Sequence, residues 1–191
     1  SGLLSRRMYG APVKPPQPSM GLTAAFGSST DWKTSGGEDR YRRGLYTTWR
    51  RSNPYPSMAT FDAPNREVCT VRRNRTNTPL QALVTLNDPV YVEAAQSLAR
   101  VALKHNENRG IQLTHAFRRC LLRPPTTSEQ AALEQLFAES LAELTKQPNE
   151  AMQLATDPLG KLPEGMSATE AAAMTIVCNV LLNLDEMFLK R

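Results

Sequence analysis

A chain of 191 residues, 40% apolar and 21% charged, has the size and composition of one globular domain with a real core. No apolar run reaches the roughly 18 residues a spanning helix needs, so no membrane span is expected. The net charge of +5 is unevenly placed. Residues 1–76 hold 13 Lys and Arg against 5 Asp and Glu, whereas residues 77–191 hold 10 against 13. A basic first part suits a polyanion such as nucleic acid, an acidic or sulfated glycan or an anionic membrane surface, or else docking on an acidic neighbouring domain or on the acidic second part of this chain. Of these, nucleic acid is not an expected partner.

The first segment, 1–37, is a Pro- and Gly-rich arm. Lys14-Pro15-Pro16-Gln17-Pro18 reads as extended polyproline conformation. Ser1 to Met8 has the pattern of the last turns of a helix. The opening Ser1-Gly2-Leu3-Leu4-Ser5-Arg6-Arg7 reverses the order of charge and apolar residues found in a signal peptide. With no initiating Met, the chain reads as a fragment or processed product. Trp32 stands alone in this arm, as a plug on the core or as a platform for a ligand.

Residues 38–146 are expected to form helices around a central motif. Glu38-Asp39 opens a helix to about Arg51, with Leu45, Tyr46 and Trp49 inward and Arg40, Arg42, Arg43, Arg50 and Arg51 outward. Pro54 and Pro56 stop it. Two helix starts follow, Thr78-Pro79 and Asp88-Pro89, each an N-cap residue before Pro at the first helical position. The helix from Thr78 to Leu86 places Leu80, Leu83 and Val84 inward. The next, to about Lys104, buries Tyr91, Ala94, Ala95, Leu98, Val101 and Ala102. Arg109 to Leu122 points Leu113, Ala116, Phe117, Cys120 and Leu121 inward. Thr126-Thr127-Ser128-Glu129 is a capping box opening a helix with Leu133, Leu136, Phe137, Leu141 and Leu144 on its buried side.

Residues 147–166 read as a loop with at most a short helix near Glu150 to Ala155. Ser167-Ala168-Thr169-Glu170 is a second capping box. Behind it, 167–191 carries Ala173, Ile176, Val177, Val180, Leu181, Leu184 and Phe188, with Met174, Cys178 and Leu182 on an adjoining face. A helix apolar on two faces belongs at the centre of a bundle. The expectation is a single, mainly α domain over 1–191: an irregular bundle of five or six helices with a long irregular arm.

Chemistry-bearing patterns are sparse. Three cysteines without CxxC exclude a zinc ribbon or thioredoxin-like motif, and without CxxCH no c-type haem attaches here. His105 and His115 lack HExxH spacing and read as surface residues, so no metal site is expected. There is no GxSxG, GxGxxG or P-loop. Cys69 lies among Arg66, Arg72 and Arg73, which would favour its thiolate; a buried structural thiol is the preferred reading. Asp62 and Glu67 form the best local carboxylate pair for acid–base work, or else ion pairs with the arginines. Arg72, Arg73 and Arg75 make a guanidinium run suited to sulfate, phosphate or carboxylate, or to tying the loop down. Arg75, just before a helix start, is the best single candidate for touching a ligand. No catalytic residue is assigned, and an enzyme is not the preferred reading.

The segments SGLLSRRMYG, GEDRYRRGLYTTWRRSNPYPSMATFDAPNREVCTVRRNRTNTPLQALVTLNDP, FRRCLLRPPTTSE and LLNLDE together resemble a planctomycete domain of unknown function. That domain occurs in large exported proteins, beside a cytochrome-c-like domain and a second domain of unknown function. The resemblance covers nearly the whole chain. It implies an exported, periplasmic or cell-surface location, a multidomain parent, and haem held by a neighbouring domain, with no cofactor in this chain. It also implies that this chain is the C-terminal part of the family domain. Three functions follow as expectations: a non-catalytic binding or scaffolding module contacting other domains of its parent; a carbohydrate-active domain for acidic or sulfated polysaccharide; and an electron-transfer partner surface.

Overall fold

A computed structural model describes residues 1–17, 32–50, 54–64, 67–73 and 76–188. The fold is mainly helical, as the periodicity predicts. Among the described residues there are eight α-helices and no strand, only an isolated bridge between Val13 and Thr47. The chain divides into two compact units, one of Leu3–Val90 and one of Tyr91–Arg191 with Ser1–Gly2.

In the unit Leu3–Val90 the backbone is fastened mostly by polar groups. The single helix expected from Glu38 is replaced by two 3-10 turns, Gly37–Tyr41 and Gly44–Tyr46. Their backbone groups are taken by the N-terminal arm. The Ser5 N–H donates to the Tyr41 carbonyl at 2.9 Å, Val13 N–H to Tyr46 at 2.8 Å, and Thr48 N–H to Val13 at 2.8 Å. A carbonyl that accepts from the arm is not available to a helix. Gly44 allows close approach here, since an added Cβ would lie 3.0 Å from the Met58 methyl. Arg42, expected on a cationic surface, is buried. Its guanidinium donates to the Tyr9 carbonyl at 2.5 Å, pairs with Asp39 at 3.3 Å and lies 4.1 Å from the centre of the Tyr46 ring. Ser1 to Met8 is not helical. Arg51 lies outside the described residues.

Two helices belong to this unit, α1 (Pro56–Thr60) and α2 (Pro79–Asn87), and they pack together. The α2 start has the expected Thr78-Pro79 form, and Thr78 and Gln81 complete a reciprocal capping box. Its faces are inverted relative to expectation: Gln81 and Thr85 are buried, whereas Leu80 and Leu83 are each 58% exposed. Among the described residues of this unit, Val13, Pro15, Pro16 and Tyr55 are the buried apolar side chains; Ser5, Arg42, Thr47, Ser57, Gln81, Thr85 and Asp88 are buried and polar.

The second unit is built the opposite way. It holds α4 (Arg109–Leu121), α5 (Thr127–Lys146), α6 (Pro148–Thr156), α7 (Ala168–Leu182), α8 (Asp185–Phe188) and, from Tyr91 on, α3 (Pro89–His105). One apolar cluster runs from Ala95 and Leu98 of α3 through Leu113 and Phe117 of α4 and Leu133 and Phe137 of α5 to Val177 and Leu181 of α7. The helix α7 is the centre, packed by α4, α5 and α6 and burying Ala171–Thr175, Val177, Cys178, Leu181 and Leu182. Val180 and Phe188, expected inside, are 36% and 42% exposed: Val180 lies on the outer side of α7, and Phe188 lies in α8, beyond the end of α7 at Leu182.

Capping explains most boundaries in this unit. Asn108 accepts the Ile111 N–H at 3.2 Å, and Leu122 ends α4 in the left-handed conformation at φ 61°. The Thr126 box is reciprocal. The Ser167 box is half formed: its hydroxyl accepts the Glu170 N–H, but the Glu170 carboxylate is drawn instead to Arg109 at 2.6 Å. The helix α6 extends beyond the short helix expected within 147–166 at both ends. Its C-terminal end is fixed by Gln96, which donates to the Leu154 and Asp157 carbonyls, and by Arg100, which donates to Ala155, Gly160 and Lys161.

Candidate functional site

The central motif becomes a clasped loop between α1 and α2. Proline at the first position starts α1, and the helix stops at Phe61. The next residue, Asp62, is left-handed at φ 60°, a conformation that Asp adopts more readily than most side chains. That turn brings its carboxylate to Thr76, whose N–H donates at 2.8 Å and whose hydroxyl donates at 2.9 and 3.0 Å. These bonds, the N–H first and then the hydroxyl, hold the Asp62 carboxyl below the usual carboxylate range. Arg73 donates to the Phe61 carbonyl at 2.6 Å, closing the loop a second time.

Gln81 locks the base. Its amide donates to the Thr60 carbonyl and the Thr76 hydroxyl, both at 2.9 Å, and its oxygen accepts the Thr78 N–H at 3.1 Å. Beneath lies Ser57, donating at 2.7 Å to Asp88, whose other oxygen accepts the Val90 N–H at 2.9 Å. Asp88 thereby caps the turn into α3 from a buried position.

From this base Glu67 to Arg73 stands out, exposed at every residue. Val68 and Val71 are in water. Cys69 is exposed, which corrects the expectation of a buried structural thiol: no element among the described residues covers the loop. Arg72 is exposed and forms no hydrogen bond or ion pair among the described residues. Glu67 is exposed and engaged in an interaction. Arg66 and Arg75, the latter the leading ligand candidate, lie outside the described residues.

Trp32 belongs to a different corner of the same unit. Its indole N–H donates to the Pro15 carbonyl at 2.8 Å, and its ring stacks on Tyr55 at 5.9 Å between centres. The Tyr55 hydroxyl donates to the Pro16 carbonyl at 2.9 Å. Together the two aromatics grip the extended proline segment, in the manner by which aromatic grooves bind polyproline. Lys14 and Arg50 each approach the Trp32 ring at 6.0 Å.

The structure therefore brings Asp62 and Arg73 into one clasp, leaves Glu67 and Arg72 on the projecting loop, and places Trp32 in the arm. Among the described residues no group of three or more His, Cys, Asp or Glu could hold a metal ion. Thr76 and Gln81 were missed by the sequence reading, although Thr78-Pro79-Leu80-Gln81 has capping-box spacing that would have flagged Gln81. Also missed was the stacking of His105 on His115, with ring centres 3.8 Å apart.

The Asp62 geometry argues against a general-acid role there. A general acid at neutral pH needs a raised carboxyl, and this one is held ionised.

Neither the curated proteins nor the solved structures contain a match to this chain. A family model described as a protein of unknown function, DUF1553, matches residues 1–137. The matched span takes in the clasped loop, α1 to α4 and the first half of α5, and the chain accordingly belongs to the DUF1553 family of proteins of unknown function.

Proposed function

We propose that this chain is a non-catalytic binding or scaffolding module of an exported, cytochrome-linked, multidomain protein, with haem carried by a neighbouring domain. The observation that supports this reading most is the inverted surface of α2. Leucines 80 and 83 face water while Gln81 and Thr85 are inside. The same unit exposes Leu45, Val68 and Val71. Exposed apolar side chains in such number mark a surface for another protein, and a neighbouring domain of the parent is the occupant proposed here. The test is association of this chain with the separately expressed neighbouring domain, followed by sedimentation velocity. Leu80→Ser with Leu83→Ser should abolish association and leave the circular dichroism unchanged. Undiminished association of the double variant, or none by the wild type, refutes the reading.

A second reading, recognition of acidic or sulfated polysaccharide, draws on Arg72, which is exposed and unpaired among the described residues. Salt-sensitive retention on a sulfated matrix, lost in Arg72→Gln, would favour it.

A further inference from the structure

The helical unit contains a second cationic feature. Ile111, Thr114, His115, Arg118, Arg119 and Leu122 recur on one face of α4 and at its end, at the spacing of successive helical turns. His105 is the last residue of α3, and the short turn through Asn106 and Asn108 carries the chain back so that its ring stacks on His115 at 3.8 Å and 15°. The result is an open groove of about 650 Å³, with Ser1 closing its rim.

Its charge is unbalanced. Among the described residues neither Asp nor Glu lines the groove. The other described arginines of this unit are committed: Arg100 to three carbonyls, Arg109 to Glu170 and Gln112, Arg123 to Glu129 and Glu186. Arg118 and Arg119 are the exception, exposed and making no hydrogen bond or ion pair among the described residues. Two adjacent guanidinium groups without a counter-charge repel each other, and an anion between them relieves that repulsion.

We propose that this groove is an oxyanion site that takes the phosphate or sulfate group of a small monoester, with Arg118 and Arg119 as the principal donors and His105 and His115 completing the cradle. Guanidinium groups match the edges of a tetrahedral oxyanion through paired N–H bonds. Ile111 and Leu122, exposed at the two ends of the α4 face, offer apolar contact to the carbon skeleton of the ester.

The local field agrees. The His115 imidazolium is disfavoured first by burial, then by the positive His105, Arg119 and Arg118. These are the charged groups that face it from α3 and from its own helix. On the α5 side Glu134 lines a neighbouring hollow with Thr114, and its carboxylate accepts from Gln130. No residue of α7 or α8 lines the groove. A bound dianion would reverse the repulsion, so binding takes up protons and strengthens as pH falls through the histidine range.

The experiment is isothermal titration of the chain at fixed ionic strength with glucose 6-phosphate, glucose 6-sulfate and glucose. Either ester should bind and glucose should not, and the preferred ester identifies the source of the oxyanion. Arg118→Gln and Arg119→Gln should each weaken binding about tenfold, the order of one charge-assisted hydrogen bond. Lys146→Gln, whose ion pair with Glu143 is elsewhere on the unit, should bind as the wild type does. A sulfate ester keeps its charge across the range, so tighter binding of glucose 6-sulfate at lower pH reports groups of the protein rather than of the ligand, His115 and the Ser1 amino group among them. His115→Gln should flatten that dependence. No heat with either ester, equal binding by both arginine variants, or a pH response unchanged in His115→Gln overturns the proposal. None of these outcomes bears on the α2 surface, whose reading stands or falls by the association assay.

Discussion

The sharpest test of the architecture is a pair of neighbouring residues on α7. Leu181 is 1% exposed in the middle of the apolar cluster, whereas Val180 is 36% exposed on the outer side of the same turn. Leu181→Ala removes three buried carbons, which at about 0.8 kcal/mol each gives about 2.4 kcal/mol before any cavity forms. The cavity raises the expected loss, within the range of about 2–5 kcal/mol for Leu to Ala in a core. Val180→Ala removes two carbons from a site already partly in water, so the expected loss is about 1 kcal/mol or less. Urea unfolding followed by far-ultraviolet circular dichroism reads both, since most helical residues lie between Tyr91 and Phe188. Fluorescence reads the other unit separately, because both tryptophans, Trp32 and Trp49, lie in Leu3–Val90. A loss below about 1 kcal/mol for Leu181→Ala, or equal losses for the two variants, would refute the placement of α7 at the centre.

Three further outcomes follow from the geometry. The Asp62 carboxyl is lowered on folding, so its stabilisation is present above the unfolded carboxylate range and lost as pH falls through the folded value. Asp62→Asn, which tolerates the left-handed backbone, should therefore melt below the wild type at neutral pH, with the gap closing in acid; a gap independent of pH would exclude the ionised clasp. Glu129 is held down to about 2 by the Arg123 guanidinium and the Thr126 N–H. In Arg123→Gln its carboxyl should titrate nearer the usual glutamate range by carbon-detected NMR, and an unmoved titration would show that the guanidinium is not the main cause. Finally, native thiol labelling should modify Cys69 first, Cys120 more slowly and Cys178 last, since burial raises the Cys120 thiol and raises Cys178 further; equal rates for Cys69 and Cys178 would contradict the packing of α7.

Legibility in the sequence followed the kind of force holding each part. From Tyr91 on, burial is apolar, and a 3.6-residue stripe reports it directly. Leu113, Ala116 and Phe117 on α4 and Leu133, Phe137 and Leu144 on α5 are inside as their spacing requires. The departures there are local. Phe188 reads as part of the same helix as Leu181 because nothing in the apolar pattern signals the break at Asn183, and the Ser167 box is incomplete because Glu170 has a distant partner in Arg109.

In Leu3–Val90 the determining contacts are polar and far apart in sequence. The Ser57 hydroxyl and the Asp88 carboxylate meet across 31 residues, and Gln81 reaches back 21 residues to the Thr60 carbonyl. A buried amide or hydroxyl with its hydrogen bonds satisfied costs little, so Gln81 and Thr85 can occupy the inner face of α2 and turn its leucines outward. Patterning that equates inside with apolar reads such a helix backwards. The same reason hides the clasp: Asp62 reads as a carboxylate free for chemistry until Thr76 is seen to occupy both its oxygens. It also separates the two cationic features. Arg73 looks like its neighbour in sequence but is spent on the Phe61 carbonyl, while Arg118 and Arg119, inconspicuous in the sequence, keep their donors for a ligand. Partner accounting, arginine by arginine, therefore directs the anion proposal to α4 rather than to Arg73 in the basic run that dominates the sequence.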